Sequence, residues 1–276
     1  MKFVCLQDAE AKRVHELRAQ YRINAIRKLR KANYKGKLTK EKKYINLNEI
    51  LLKAVEHGNF EEAGKLIKAG GDPEYSNSDG HSLIHIAVKN NDIGCTKTLI
   101  DWRCSLNRKQ KTEMPLIVLA CYCCSEEVIR ILLDGGADPD ERDPRNGQTP
   151  LIVSLTLLKK EIFFLLIRHG ANPRLSDNVG RTPLMFSAKL GYVECIQAML
   201  KYPKLILEVN KKDKVDGCTA LMYAAKHGQH ESCIELLKNG ASKTAKDSNG
   251  QCALLWAEMF GARKQLIILL HPKVPP

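Results

Sequence analysis

No stretch of this 276-residue sequence reaches the roughly 18 consecutive apolar residues that a membrane-spanning helix needs. The opening run Met1-Lys2-Phe3-Val4-Cys5-Leu6 is too short for a secretory signal. A glycine-rich phosphate loop, a Gly-x-Ser-x-Gly elbow, a zinc-protease helix and the kinase set are all missing. Gly135-Gly136-Ala137-Asp138 has no strand pattern before it and reads as a loop. Catalysis needs a nucleophile, a base and an orienting group in register, so neither enzyme activity nor a cofactor is expected. The ten cysteines lack a disulfide-framework spacing. Cys121-Tyr122-Cys123-Cys124 has no second pair to complete a four-ligand zinc site. Ordinary reduced thiols near a helix end are expected there, with a metal or redox role as the alternative. These absences point to a cytoplasmic and/or nuclear chain that does not enter a membrane.

Acidic residues are scarce in one place. Residues 1–45 hold 14 Lys or Arg against Asp8, Glu10, Glu16 and Glu41, a net +10, whereas the remaining residues hold 30 against 27. The basic arm includes Arg18, Arg22, Arg27, Lys28, Arg30, Lys31, Lys35 and Lys37. From Gln7 to Lys31 it has good helix formers and no Gly or Pro, which predicts a partly helical extension. Val14, Leu17 and Tyr21 fall on one face, but Ile23, Ile26 and Leu29 fall elsewhere. That spread argues against an amphipathic membrane helix. Several readings stay open for the arm: a solvated extension packed on the first repeat, a docking or nuclear-import signal, or a contact to an acidic protein. Nucleic acid is not the expected partner, because only Tyr21 and Tyr34 are available to stack on bases.

What the chain has in quantity is a repeat. Ser82-Leu83-Ile84-His85-Ile86-Ala87-Val88 is followed by Met114-Pro115-Leu116, Thr149-Pro150-Leu151, Thr182-Pro183-Leu184, Thr219-Ala220-Leu221 and Cys252-Ala253-Leu254, at spacings of 32, 35, 33, 37 and 33. A period near 33 marks stacked two-helix units. In one of them Thr149 caps exposed N–H groups, and Pro150 suits a first helical turn. A second helix through Ile162, Phe163, Leu165, Leu166 and Ile167 stops at His169-Gly170, where Gly can turn left-handed. Gly70, Gly136 and Gly240 mark the same stop. Polar segments such as Ser176-Asp177-Asn178-Val179-Gly180 predict hairpin-like connections. One helix pair cannot bury its apolar face alone, so the units must stack.

On these residues the chain resembles the ankyrin-repeat family. The resemblance implies an all-α solenoid with seven units over 46–276: 46–78, 79–110, 111–145, 146–178, 179–214, 215–248 and 249–276. The fifth departs from the pattern at Tyr202-Pro203-Lys204-Leu205 and runs four residues over the usual period. It further implies a non-catalytic scaffold or adaptor that holds a protein segment in a concave groove; by itself the chain is expected to be monomeric. That groove is built from hairpin tips and the exposed side of each first helix. Carried over position by position, the groove residues are Lys89, Tyr122, Leu157, Arg181, Lys189, Leu190, Lys226, His227 and Phe260. Tyr122, Leu157, Leu190 and Phe260 either form an apolar row there or turn inward to fill the stack. Lys89, Lys189 and Lys226 suggest an acidic or mixed apolar–acidic partner. His85 stands where the motif has a histidine bonded within its own stack, so a metal role with His81 is not expected. The alternative functions are a structural component of a cytoskeletal assembly anchored by the arm, and a nuclear regulatory factor.

Overall fold

Fourteen helices and no strand occupy the residues that the computed structural model describes, 47–107, 114–201 and 209–272. The basic arm (1–45) and the overlong fifth-unit loop at 202–205 lie outside the described residues. Among the described residues the β pairing is confined to one isolated bridge, Ser76 with Ser82. The chain divides into two compact units, Met1–Leu106 and Asn107–Pro276.

The first unit contains two helix pairs, α1 (Leu47–Glu56) with α2 (Phe60–Lys68) and α3 (Leu83–Lys89) with α4 (Ile93–Asp101). Each helix is too short to be stable alone, so burial of its apolar stripe must hold it. Leu51, Val55, Leu83, Val88 and Leu99 are fully buried between the pairs. Asn59 caps α2 by accepting from the Glu62 N–H at 3.1 Å, and its own amide donates to the Glu62 carboxylate at 2.9 Å. His85 is buried on α3, with Nδ1 2.7 Å from the Ser82 hydroxyl. It is therefore bound within its own repeat, while His81 is exposed at the hairpin tip.

The second unit contains five pairs: α5 (Leu116–Cys123) with α6 (Glu126–Asp134), α7 (Pro150–Thr156) with α8 (Lys160–Arg168), α9 (Pro183–Leu190) with α10 (Val193–Leu200), α11 (Ala220–Lys226) with α12 (His230–Lys238), and α13 (Ala253–Met259) with α14 (Lys264–Leu270). Thr149, Thr182 and Thr219 cap α7, α9 and α11 by accepting from the N–H three residues on. The expected stops at Gly136, Gly170 and Gly240 all have positive φ. First helices α5, α7, α9, α11 and α13 pack side by side in one layer, and α6, α8, α10 and α12 form the layer behind. Phe163 is the largest fully buried side chain among the described residues; burying such a ring is worth about 1.5–3 kcal/mol.

Polar bonds tie neighbouring repeats of this unit along both edges. At the hairpin edge the N–H groups of Asn178, Lys214 and Ser248 donate to the carbonyls of Asn146, Val179 and Asp216, at 2.8–3.0 Å. At the other edge the side chain of Asn107 spans the Gly136 carbonyl and the Asp138 N–H, and Asn210 does the same for Gly240 and Ser242. Backbone groups in the loops therefore find partners in the next repeat, and this fixes the stacking register.

Candidate functional site

The hairpins of the second unit are built on buried aspartates. Asp143, Asp177, Asp213 and Asp247 sit five or six residues before the first-helix caps and are almost completely enclosed. One carboxylate oxygen of each accepts from the backbone across the turn, from the Arg145 N–H in Asp143 and from two or three N–H groups in the others. Asp177 Oδ1 takes those of Val179 and Arg181 at 3.1 and 2.8 Å, and Asp247 Oδ1 takes those of Asn249 and Gln251 at 2.9 and 2.8 Å. The other oxygen is held by a different side chain in each repeat. Arg145 Nη2 reaches Asp143 at 2.7 Å, Arg181 Nε reaches Asp177 at 2.8 Å, Tyr223 Oη reaches Asp213 at 3.1 Å, and Trp256 Nε1 reaches Asp247 at 2.9 Å. A buried carboxylate needs such donors to offset its lost hydration.

Two of these donors also set charge. Arg145 holds the Asp143 carboxyl below its ordinary value, chiefly through the side-chain hydrogen bond, and is itself shifted up. Burial, then the Asp213 charge, push the Tyr223 phenol well above its usual range. Tyr223 therefore stays protonated and remains a donor.

The aromatic donors belong to a column on the first helices. Phe186, Tyr223 and Trp256 occupy one repeat position, spaced 37 and 33 residues apart like the motif itself. The Arg181 guanidinium lies 5.1 Å from the Phe186 ring centre, so one arginine links hairpin carboxylate and helix aromatic. At the C-terminal end of the unit, Trp256 and Phe260 stack with ring centres 5.6 Å apart and 17° between planes. The Lys226 ammonium stands 4.6 Å over Trp256 and 4.9 Å over Phe260. An ammonium so placed is attracted by the ring quadrupoles. The result is a cationic–aromatic cluster in which Lys226 and Trp256 are half-buried and Phe260 is exposed; Met259 and His227, its neighbours in sequence, are exposed as well.

The residues expected in the groove fall as follows. In the first unit, Lys89 is exposed at the end of α3. In the second, Tyr122 is exposed, Leu157 and Leu190 are partly buried, and Phe260 is 53% exposed. Lys189 and His227 are exposed and Lys226 is partly covered by its two rings. Arg181 is engaged by Asp177 and Phe186. Lys226 and Phe260 thus meet directly, whereas Tyr122 and Leu157 lie on other repeats. His227 Nδ1 is 3.0 Å from the Tyr223 carbonyl.

Sequence reasoning missed the Phe186-Tyr223-Trp256 column, although its recurrence at the motif spacing was available as a signal. It also missed Leu158, which is 59% exposed and holds φ at 59°. The equivalent turn residues of the next two repeats are Gly191 and Gly228, both with positive φ. Lys159, beside it, donates from Nζ to the carbonyls of Cys121 and Tyr122 at 2.9 and 3.3 Å. Among the described residues no group of three or more His, Cys, Asp or Glu has the arrangement of a metal site. No helix there is long and apolar enough to cross a membrane.

Compared with known proteins, the sequence matches the family described as Ankyrin repeats (3 copies) over residues 51–143, 119–213 and 202–274. The chain belongs to the ankyrin-repeat family. Among relatives of this ankyrin-repeat chain, ankyrin repeat protein nuc-2 of Neurospora crassa is 30% identical over 195 residues, 66% of this chain and 17% of that protein. The mouse B-cell lymphoma 3 protein homolog is 25% identical over 190 residues, 66% of this chain and 40% of that protein. Human transient receptor potential cation channel subfamily A member 1 is 26% identical over 167 residues, 59% and 15% respectively. The chain thus spans well under half the length of these curated relatives. The crystal structure of the Bcl-3 ankyrin repeat domain superposes with a TM-score of 0.67 at 24% identity, covering 80% of this chain and 96% of that one. The human ASB11 ankyrin repeat domain gives 0.59 at 20% identity, covering 82% and 98%. At these identities the structural likeness concerns the fold.

Proposed function

We propose that this ankyrin-repeat protein is a non-catalytic scaffold or adaptor, cytoplasmic and/or nuclear, that binds a segment of another protein. Ankyrin repeats are in general protein–protein interaction modules. The segment lies on the first helices and hairpin tips of the second unit and is acidic or mixed apolar–acidic. The observation that supports this reading most is the cluster in which Lys226 stands over Trp256 and Phe260. Concave sites draw most of their binding energy from a few aromatic and cationic anchors. Here a carboxylate would meet Lys226, and an apolar neighbour would lie on Phe260 and Met259, which are 53% and 62% exposed. Lys189 adds an exposed cation one repeat away.

The charge of the arm, +10 over 45 residues, favours a second reading, in which the arm grips an acidic polymer as part of a cytoskeletal assembly. Proximity labelling in cells separates the two. One variant carries Lys226→Glu and Phe260→Ala; the other carries Gln in place of Arg18, Arg22, Arg27, Lys28, Arg30, Lys31, Lys35 and Lys37. The scaffold reading expects the first variant to lose partners that the second retains. Loss of every partner with the arm variant alone overturns it. Co-sedimentation with microtubules at low and high salt tests the polymer reading, which fails if nothing pellets at low salt.

A further inference from the structure

The end of α5 places three cysteines within four residues, Cys121, Cys123 and Cys124. Cys121 is fully buried, Cys124 nearly so, and Cys123 is exposed. The Cys123 thiol donates to the Leu119 carbonyl at 3.1 Å, and its sulfur is 3.6 Å from that of Cys124. In a continuing helix adjacent side chains diverge by about 100°. Here Cys124 leaves the helix with extended backbone (φ −103°, ψ 163°), while its N–H still donates to the Ala120 carbonyl. That turn brings the two sulfurs together.

The surroundings assign the two thiols different roles. The Lys159 ammonium is bonded to the Cys121 and Tyr122 carbonyls at the end of the same helix. Burial pushes the Cys121 thiol up to about 12 and raises that of Cys124 as well. Cys123 is the exposed thiol of the three and meets a soluble oxidant first. Oxidant-responsive cysteines are accessible and stand next to a second thiol that resolves the first product.

We propose that Cys123 and Cys124 form a hydroperoxide-responsive modification site, in which exposed Cys123 is oxidised and its neighbour captures the product as a disulfide. The Cys123 thiol releases its proton to water and its sulfur attacks one oxygen of hydrogen peroxide; an S–O bond forms and the O–O bond breaks. The departing hydroxide takes up a proton, giving one water and a sulfenic acid. The Cys124 sulfur then attacks the Cys123 sulfur. The S–S bond forms, the S–O bond breaks, and the hydroxyl leaves with the Cys124 proton as a second water. The two thiols together give up two protons and two electrons, and the peroxide takes up both to become two waters.

The test treats the full chain with hydrogen peroxide, blocks remaining thiols, digests it and weighs the peptide containing residues 121–124. The wild type loses two hydrogens, about 2 Da, and regains them with dithiothreitol. Cys124→Ser and Cys124→Ala each trap a sulfenic acid at Cys123, with dimedone labelling at least about fivefold above wild type. Cys123→Ser abolishes both signals. The alanine variant places no hydroxyl in the buried site, so a folding defect peculiar to the serine variant does not decide the outcome. Equal dimedone labelling in wild type and both Cys124 variants overturns the proposal, as does a cross-link that joins Cys121 instead.

Discussion

Trp256 donates its indole N–H to Asp247 at 2.9 Å, nine residues upstream, and so pins the last hairpin of the second unit to the helix that follows it. Tyr223 does the same for Asp213 at 3.1 Å. In the two preceding repeats arginines supply the donor, from Arg145 to Asp143 and from Arg181 to Asp177. One buried acceptor is thus served by a guanidinium, a phenol or an indole, according to which side chain comes within reach.

Tyr223→Phe removes the phenol donor and leaves the ring in place. Asp213 keeps its backbone donors but loses one partner for Oδ2, so the fold is expected to lose about 1–2 kcal/mol. Urea unfolding followed by circular dichroism measures this. A change of less than a few tenths of a kcal/mol would mean that water replaces the phenol without cost.

The pH response of Asp143 has a defined sign. Its carboxyl is lowered from 3.8 in the fold, first by the Arg145 hydrogen bond. A lowered value means the carboxylate stabilises the fold above pH 3.8, and the contribution is lost as pH falls through the folded value. Asp143→Asn is expected to be less stable than wild type at pH 7, with the gap closing toward pH 3. Asp140 is raised by burial and acts in the opposite direction, but it is common to both proteins and cancels in the difference. Denaturant titrations at several pH values measure the gap; a gap that does not change with pH contradicts the assignment.

Leu158 is held at φ 59°, which costs a side-chain-bearing residue about 1–2 kcal/mol. Leu158→Gly removes that strain, against about 0.5–1 kcal/mol for the added freedom of the unfolded chain. The expected result is a fold as stable as wild type or up to about 1 kcal/mol more stable. A lower urea midpoint would show that the exposed leucine makes stabilising contacts. Backbone strain kept at an exposed apolar residue marks a place to look for function, so the same variant belongs in the binding assays.

Much of the fold was legible in the sequence because each repeat restates its own grammar. Thr149-Pro150 and Thr182-Pro183 open helices through capping and a fixed φ, and Gly136, Gly170 and Gly240 end them in the left-handed region. The site was less legible. The positions after the motif's helix either form an outward row or turn inward, and the sequence does not choose between these because exposure depends on how each side chain turns. Leu157 and Leu190 tuck partly into the stack while Phe260 stays out, stacked on Trp256 beneath Lys226. That cluster joins residues from two repeats, 30 and 34 positions apart, and periodicity alone does not say which neighbours touch. The two-sulfur contact at the end of α5 was hidden for another reason: helical spacing holds adjacent side chains apart, and only the turn at Cys124 brings them together.

The most direct test of the central claim is the affinity of the purified chain for the protein segment it recovers from cells, measured for wild type, Lys226→Arg and Lys226→Glu. If an acidic or mixed apolar–acidic segment sits on the Lys226-Trp256-Phe260 cluster, the arginine variant binds within about threefold of wild type. The glutamate variant then weakens binding by at least about tenfold, because it places like charge opposite the segment and removes the cation from the rings. Equal affinity for wild type and Lys226→Glu, with circular dichroism showing both folded, would contradict the claim.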